Sequence, residues 1–262
     1  MSDVFRAERD CLAGLGVLAS THMRFDPELT TRGAASHAYG FNVHCLVVDN
    51  ADGEVLALER NRIHADNNPL QHAEQVGIRA AMARLHAKRP RDVGTPVEQY
   101  YRNALFMAPG TAPEDFINRG CTLYNTFDPC GMCAVTLLVC YMKRIAYLFA
   151  NPQFATVYDD MRQYFRGRES LKEPLALLED GDDTPLRKGA RLIRVMREKV
   201  KQLEERGTPL MTTVDRCRDE LQQAAVLLLE TDIDHLRTSG EERERNVRTL
   251  HGIKRLCNIN GS

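Results

Sequence analysis

The stretch NTFDPCGMCAV, Asn125 to Val135, decides how the chain is to be read. It overlaps the end of GCTLYNT (120–126), a branched and aromatic run that reads as a strand, and passes through Asp128-Pro129 into an expected helix. Asp128 is a helix-capping residue type. Proline suits the first helical position, where its missing N–H would be unpaired anyway. Cys130 and Cys133 then leave the first turn on the same side. Unpaired amides and the positive end of the helix dipole favour thiolate over thiol there.

A second stretch has the same build. NNPLQHAEQ (67–75) offers Asn68 as the cap of a helix beginning at Pro69, so that His72 falls in its first turns and Glu74 just beyond. Two thiolates and an imidazole are a ligand set that zinc takes, and three protein ligands leave a fourth place for water, as in a catalytic site. A Cys-x-x-Cys pair behind a strand also suits a thioredoxin-like redox site, and Gly131-Met132 between the cysteines does not exclude it. A redox pair, however, gives no reason for a second proline-led helix carrying His-Ala-Glu. His-x-Glu followed by Pro-Cys-x-x-Cys is the pattern of zinc deaminases. The expected cofactor is therefore Zn2+, held by His72, Cys130 and Cys133.

Working outward, VHCLVVD (43–49) reads as a buried strand, NADG (50–53) as a hairpin turn and EVLALER (54–60) as the returning strand. RIAYLFA (144–150) is a further strand, and the alternation with helices predicts an α/β fold with a mixed sheet. Ser2 can cap a helix whose apolar positions Val4, Cys11, Leu15 and Leu18 recur at helical spacing. Toward the other end, Thr184 and Pro185 open a helix with Leu192, Val195, Met196, Val200 and Leu203 along it. Val214, Cys217, Leu221, Ala225 and Leu228 space a second. Ser239 starts a third, with Glu242 completing a capping box.

The composition narrows the function classes. With 262 residues, 43% of them hydrophobic, the chain can bury a sizeable core. A net charge of −1 gives no global field for nucleic acid or anionic membrane. The start MSDVFRAERD lacks the apolar core of a signal peptide, and no apolar run nears the roughly 18 residues of a membrane helix. The eight cysteines are scattered, which fits a reduced, cytoplasmic setting. Cys11, Cys45, Cys140, Cys217 and Cys257 read as small buried hydrophobes.

On these residues the chain resembles the cytidine deaminase superfamily, most closely the branch of guanine deaminases, tRNA adenosine deaminases and the riboflavin-pathway pyrimidine deaminase. The strand pair, ERNRIHADNNPLQHAE (59–74) and LYNTFDPCGMC (123–133) carry the resemblance, which spans about residues 38–155. It implies a three-layer α/β/α fold with a central mixed five-stranded sheet, and a homodimer or larger homo-oligomer. It also implies Glu74 as catalytic proton shuttle, with Asn61 and Ala73 at the substrate. The organisation expected is a deaminase domain over 1–165, with an insertion at about 87–120, and a helical C-terminal extension over 166–262. Asp128 stands where the family usually has Glu, and Leu70 where it has Thr. The 58 positions from His72 to Cys130 exceed the usual gap. The insertion, with Tyr100-Tyr101, is either a surface excursion or a wall that stacks on a planar base.

The leading expectation is a zinc-dependent hydrolytic deaminase of a small molecule: a nucleobase, nucleoside or related amino-heterocycle. A tRNA or single-stranded nucleic-acid editor is the alternative, using the basic first tail helix (Arg187, Lys188, Arg191, Arg194, Arg197) to track a backbone. That helix face reads first as solvated surface. A third reading is a silent deaminase fold serving as an interaction module. The near-zero net charge weighs against the second, and the intact ligand set with Glu74 against the third.

Overall fold

The computed structural model describes residues 3–25, 41–97, 99, 120–152, 160, 161, 164 and 171–258. The branched run of the first strand forms β1 (His44–Asp49), buried along its whole length. The chain turns back where the Asp49 N–H donates to the Glu54 carbonyl at 2.9 Å. Gly53 closes this turn at φ +79°, a left-handed conformation that other residues adopt only with strain. A Cβ at position 53 would also collide with the Arg245 carbonyl oxygen. β2 (Val55–Arg60) returns antiparallel, with Leu58 opposite Leu46 and a register shift between Val47 and Val48.

On the other side of β1 runs β3 (Cys121–Phe127), antiparallel, with Asn125 opposite Cys45. β4 (Arg144–Phe149) and β5 (Leu171–Pro174) follow it in parallel. The sheet is thus five-stranded and mixed, in the order β2-β1-β3-β4-β5. The expected α/β deaminase-like fold with C-terminal helices is present. Its fifth strand, Leu-Lys-Glu-Pro, was not among the four runs legible as strands. It sits at the edge of the sheet, where a proline is tolerated.

Successive side chains of a strand point to opposite faces. Odd-numbered residues of β1 and β3 face α2 (Ala73–Lys88) and α3 (Gly131–Val139). There the Cys45 thiol donates to the Ala73 carbonyl at 3.0 Å. Even-numbered residues face α1 (Asp3–Met23), where Ser20 Oγ and His44 Nδ1 lie 3.0 Å apart. On its outer side α1 packs against α4 (Pro185–Glu205), α5 (Arg218–Glu230) and α6 (Gly240–Leu256).

That double covering buries α1 from Phe5 to Thr21 at every position except Arg6, including three charged residues in a row. Buried charges need partners. Asp10 accepts from both Nη1 and Nη2 of Arg144 at 2.7 Å, and from the Ala176 amide at 2.8 Å. Glu8 accepts from Thr238 Oγ1 at 2.7 Å, and Arg9 Nε donates to Asn246 Oδ1 at 3.3 Å. These contacts tie α1 to β4 and to the C-terminal helices.

Two helix starts differ from expectation. α2 begins at Ala73 rather than Pro69, and α3 at Gly131 rather than Pro129. The Asn68 side chain accepts instead from the Leu70 amide at 2.9 Å, closing a local turn, and the Asp128 carboxylate meets Lys172 Nζ at 3.0 Å. At the tail, Thr184 and Pro185 do open α4. Ser239 is the N-cap of α6 but its side chain makes no capping bond, so the expected capping box does not form. Val214 lies in a separate short turn, Val214–Arg216, ahead of α5. Ser2 and positions 98 and 100–119 of the insertion, with Tyr100 and Tyr101, lie outside the described residues.

Candidate metal centre

The late helix starts put the ligands at the helix ends themselves. His72 is the N-cap of α2, extended at φ −65° and ψ 154°, and Cys130 is the N-cap of α3 at φ −66° and ψ 166°. Neither side chain is used in capping. Cys133 follows in the first turn of α3. One ligand atom from each of His72, Cys130 and Cys133 lies within 4.8 Å of the others. His72 Nδ1 and Cys130 Sγ are 3.7 Å apart. A sulfur and a nitrogen bound to one tetrahedral zinc at their usual lengths stand about 3.6 Å apart, so the residues fit the metal.

Neighbouring contacts hold the two helix ends together. Asn61 Oδ1 accepts from the Ala73 amide at 2.7 Å, fixing the first turn of α2 to the end of β2. Gly77 lets α2 lie against β1, since a Cβ there would collide with Cys45 Sγ. Gln75 Nε2 donates to Thr136 Oγ1 at 2.6 Å, bridging α2 to α3. The Asp128 amide donates to the Phe149 carbonyl at 2.9 Å, and its carboxylate is paired with Lys172 on β5. Every strand from β1 to β5 therefore reaches the centre or the segment entering it.

The electrostatics suit metal binding. The hydrogen bond from Cys133 and then that from His72 pull the Cys130 thiol down to about 4. Donating to that thiolate pushes the Cys133 thiol up. His72 is raised by its hydrogen bond to Cys130. Zinc binding replaces the protons of its ligands, so a thiol already inclined to the thiolate favours the metal. Glu74, buried in the second position of α2, is raised first by burial and then by the charge of Cys130.

All three expected ligands are brought together, with Glu74 and Asn61 buried beside them. Ala73 is present with both backbone groups in use, its N–H on Asn61 and its carbonyl on Cys45. Leu70, at the position where threonine is usual, is exposed. The residue that sequence reading missed is Asn125, whose Nδ2 donates to Glu74 Oε1 and to the Phe127 carbonyl, both at 2.8 Å. Its only signal was a polar side chain inside a strand, which normally marks a solvent face.

The family model for the cytidine and deoxycytidylate deaminase zinc-binding region matches residues 20–149. The chain belongs to this family. The chain is 31% identical over 107 residues to a tRNA(Ile)-lysidine synthase of Deinococcus deserti, covering 41% of the chain but 15% of that protein. It is 22% identical over 132 residues to a tRNA-specific adenosine deaminase of Rickettsia bellii, covering 50% and 71% respectively. Among solved structures, a tRNA:A34 deaminase aligns at 22% identity over 60% of this chain and 93% of its own, with a TM-score of 0.37. The guanine deaminase of Nitrosomonas europaea aligns at 16% identity over 66% and 81%, with a TM-score of 0.35. The chain carries the family's zinc-binding motif as His72, Cys130 and Cys133. Among the described residues no helix is long and apolar enough to cross a membrane.

Proposed function

We propose that this zinc-dependent deaminase acts on a small nucleobase, nucleoside or related amino-heterocycle, with Glu74 as its proton shuttle. The observation that carries the catalytic part is the placement of Glu74, buried on the helix that presents His72 and held by Asn125 rather than by an ion pair. His72, Cys130 and Cys133 would hold the zinc, which would supply the nucleophile by lowering the pKa of water toward about 7. Glu74 would carry a proton from the attacking water to a ring nitrogen, and then carry the second proton, released by the hydroxyl of the tetrahedral adduct as its C–N bond breaks, to the amine that leaves as ammonia. Asn61 keeps its amide nitrogen for the ring, since its oxygen is engaged at Ala73.

Support for a small substrate comes from the state of the basic side chains. Arg187, Arg191 and Arg194 on α4 are paired with Asp182, Asp183 and Asp180, and Lys199 with Glu220. Arg197 donates to the carbonyls of Leu148 and Leu175. Near the start of the insertion, Lys88 and Arg89 converge on Asp49. A phosphate backbone would have to displace these carboxylates. The competing reading, editing of tRNA, is favoured by the likeness to the Rickettsia bellii tRNA-specific adenosine deaminase. The homodimer is part of the proposal and is tested by light scattering.

The deciding experiment measures ammonia release from guanine, cytosine, adenine and their nucleosides beside single-stranded DNA, RNA and tRNA, with binding followed as salt rises. Turnover of a base or nucleoside is expected. Activity confined to polymers, with affinity falling steeply in salt, overturns the small-substrate reading.

A further inference from the structure

Asn125 lies in the middle of a strand buried at every position. Its amide nitrogen serves two oxygens, Glu74 Oε1 and the Phe127 carbonyl, each at 2.8 Å. Both of those oxygens are hydrogen-bond acceptors, so the side chain meets both only with its NH2 group turned toward them. The bond to Phe127 fixes the amide on β3, and the fixed amide then holds the Glu74 carboxylate. The other end of the same side chain is not satisfied: Asn125 Oδ1 is buried without a hydrogen-bond partner among the described residues. A buried acceptor left unpaired is destabilising, whereas a β-branched apolar residue would suit this strand position without that cost. The amide therefore costs stability at a place where its one evident gain is the orientation of Glu74.

We infer that Asn125 is a positioning residue that pins the Glu74 carboxylate beside the metal centre through a hydrogen bond from the sheet. The inference rests on the reading of Glu74 as the proton shuttle and names the group that aims it. A glutamate has three rotatable bonds, and a shuttle must present its carboxylate in one geometry to be effective. The N–H of Asn125 selects that rotamer from below. Its hydrogen bonds go to Glu74 and the Phe127 carbonyl and to none of the three metal ligands, so its loss should alter turnover while leaving substrate affinity and zinc content alone.

The test uses the full zinc-loaded chain with Asn125→Ala and, should that variant fold poorly, Asn125→Val, which keeps the volume and strand preference without a donor. The first readout needs no substrate. Crystal structures of wild type and variant should show unchanged zinc ligands and a Glu74 carboxylate that has moved or split between rotamers. A Glu74 carboxylate in its original single position overturns the inference. The second readout is kinetic, on whichever of guanine, cytosine, adenine and their nucleosides is turned over. kcat should fall about ten- to a hundredfold, the effect of one hydrogen bond to a charged group, with KM within about threefold of wild type. Added to Glu74→Gln, the same substitution should cost less than about threefold more, because two residues acting as one unit are not additive. Wild-type kcat in the single variant, or full multiplication of the two effects, overturns it. Failure of the shuttle reading looks different: Glu74→Gln itself would keep its turnover.

Discussion

Asn61 Oδ1 receives the backbone N–H of Ala73 at 2.7 Å, so a loop side chain closes the first turn of the helix that carries the zinc-binding histidine. The two ends of that side chain can be separated by substitution. Asn61→Asp keeps an oxygen for Ala73 and places a negative charge at a helix N-terminus, which the dipole favours. It removes only the amide donor. This variant is expected to keep its zinc and raise KM. Asn61→Ala should lose about 1 kcal/mol of stability as well, as for a lost helix-end hydrogen bond. Indistinguishable KM values for wild type and Asn61→Asp would remove Asn61 from the substrate.

Metal content is the most direct measurement. Purified without chelators, the wild-type chain should carry about one zinc, the stoichiometry of a single three-ligand site. Cys130→Ala and Cys133→Ala should each lose it. Wild-type protein devoid of metal under those conditions would contradict the assignment.

Replacing Glu74 by Gln retains the shape of the side chain and removes its basicity. Zinc content and melting temperature should stay near wild type while kcat falls by about two to four orders of magnitude, the usual contribution of a positioned acid–base group. Loss of zinc in step with activity would instead make Glu74 a ligand.

His44 predicts a pH dependence of stability. Burial, reinforced by the charges of Arg24 and Arg60, pushes its imidazole down to about 3, against about 6.5 in an unfolded chain. Between those values the unfolded chain binds a proton that the folded chain does not, so stability falls as pH is lowered through that window. The loss is about 1.4 kcal/mol per pH unit, or about 3 kcal/mol by pH 4.5. In urea titrations, His44→Gln should be less stable than wild type at pH 7, having lost the contact with Ser20, and the gap should narrow by pH 4.5. A constant gap would mean that His44 is charged in the folded state.

The zinc ligands were legible because metal chemistry restricts residue type and spacing together, and the inner strands because branched runs bounded by turns have few other uses. Helix starts were less so. Asn68 and Asp128 are good caps by type, yet one closes a turn with Leu70 and the other pairs with Lys172, a residue 44 positions away. β5 has a proline and no alternation, and becomes a strand only because β4 offers it an edge. Asn125 was illegible for a related reason: in a strand covered on both faces a polar residue points inward, and only the assembled helix shows that Glu74 is its partner.

The placement of α1 between the sheet and the C-terminal helices has a consequence for synthesis on the ribosome. α1 leaves the exit tunnel before α4, α5 and α6, which cover its outer side. At typical elongation rates the delay between Met23 and Pro185 is about ten to thirty seconds. As that interval passes the sheet can assemble strand by strand against one side of α1, but Glu8 has no Thr238 and Arg9 no Asn246 to bond. A ribosome stalled before Pro185 thus presents a nascent chain whose first helix shows chaperones an apolar flank interrupted by unpaired charge.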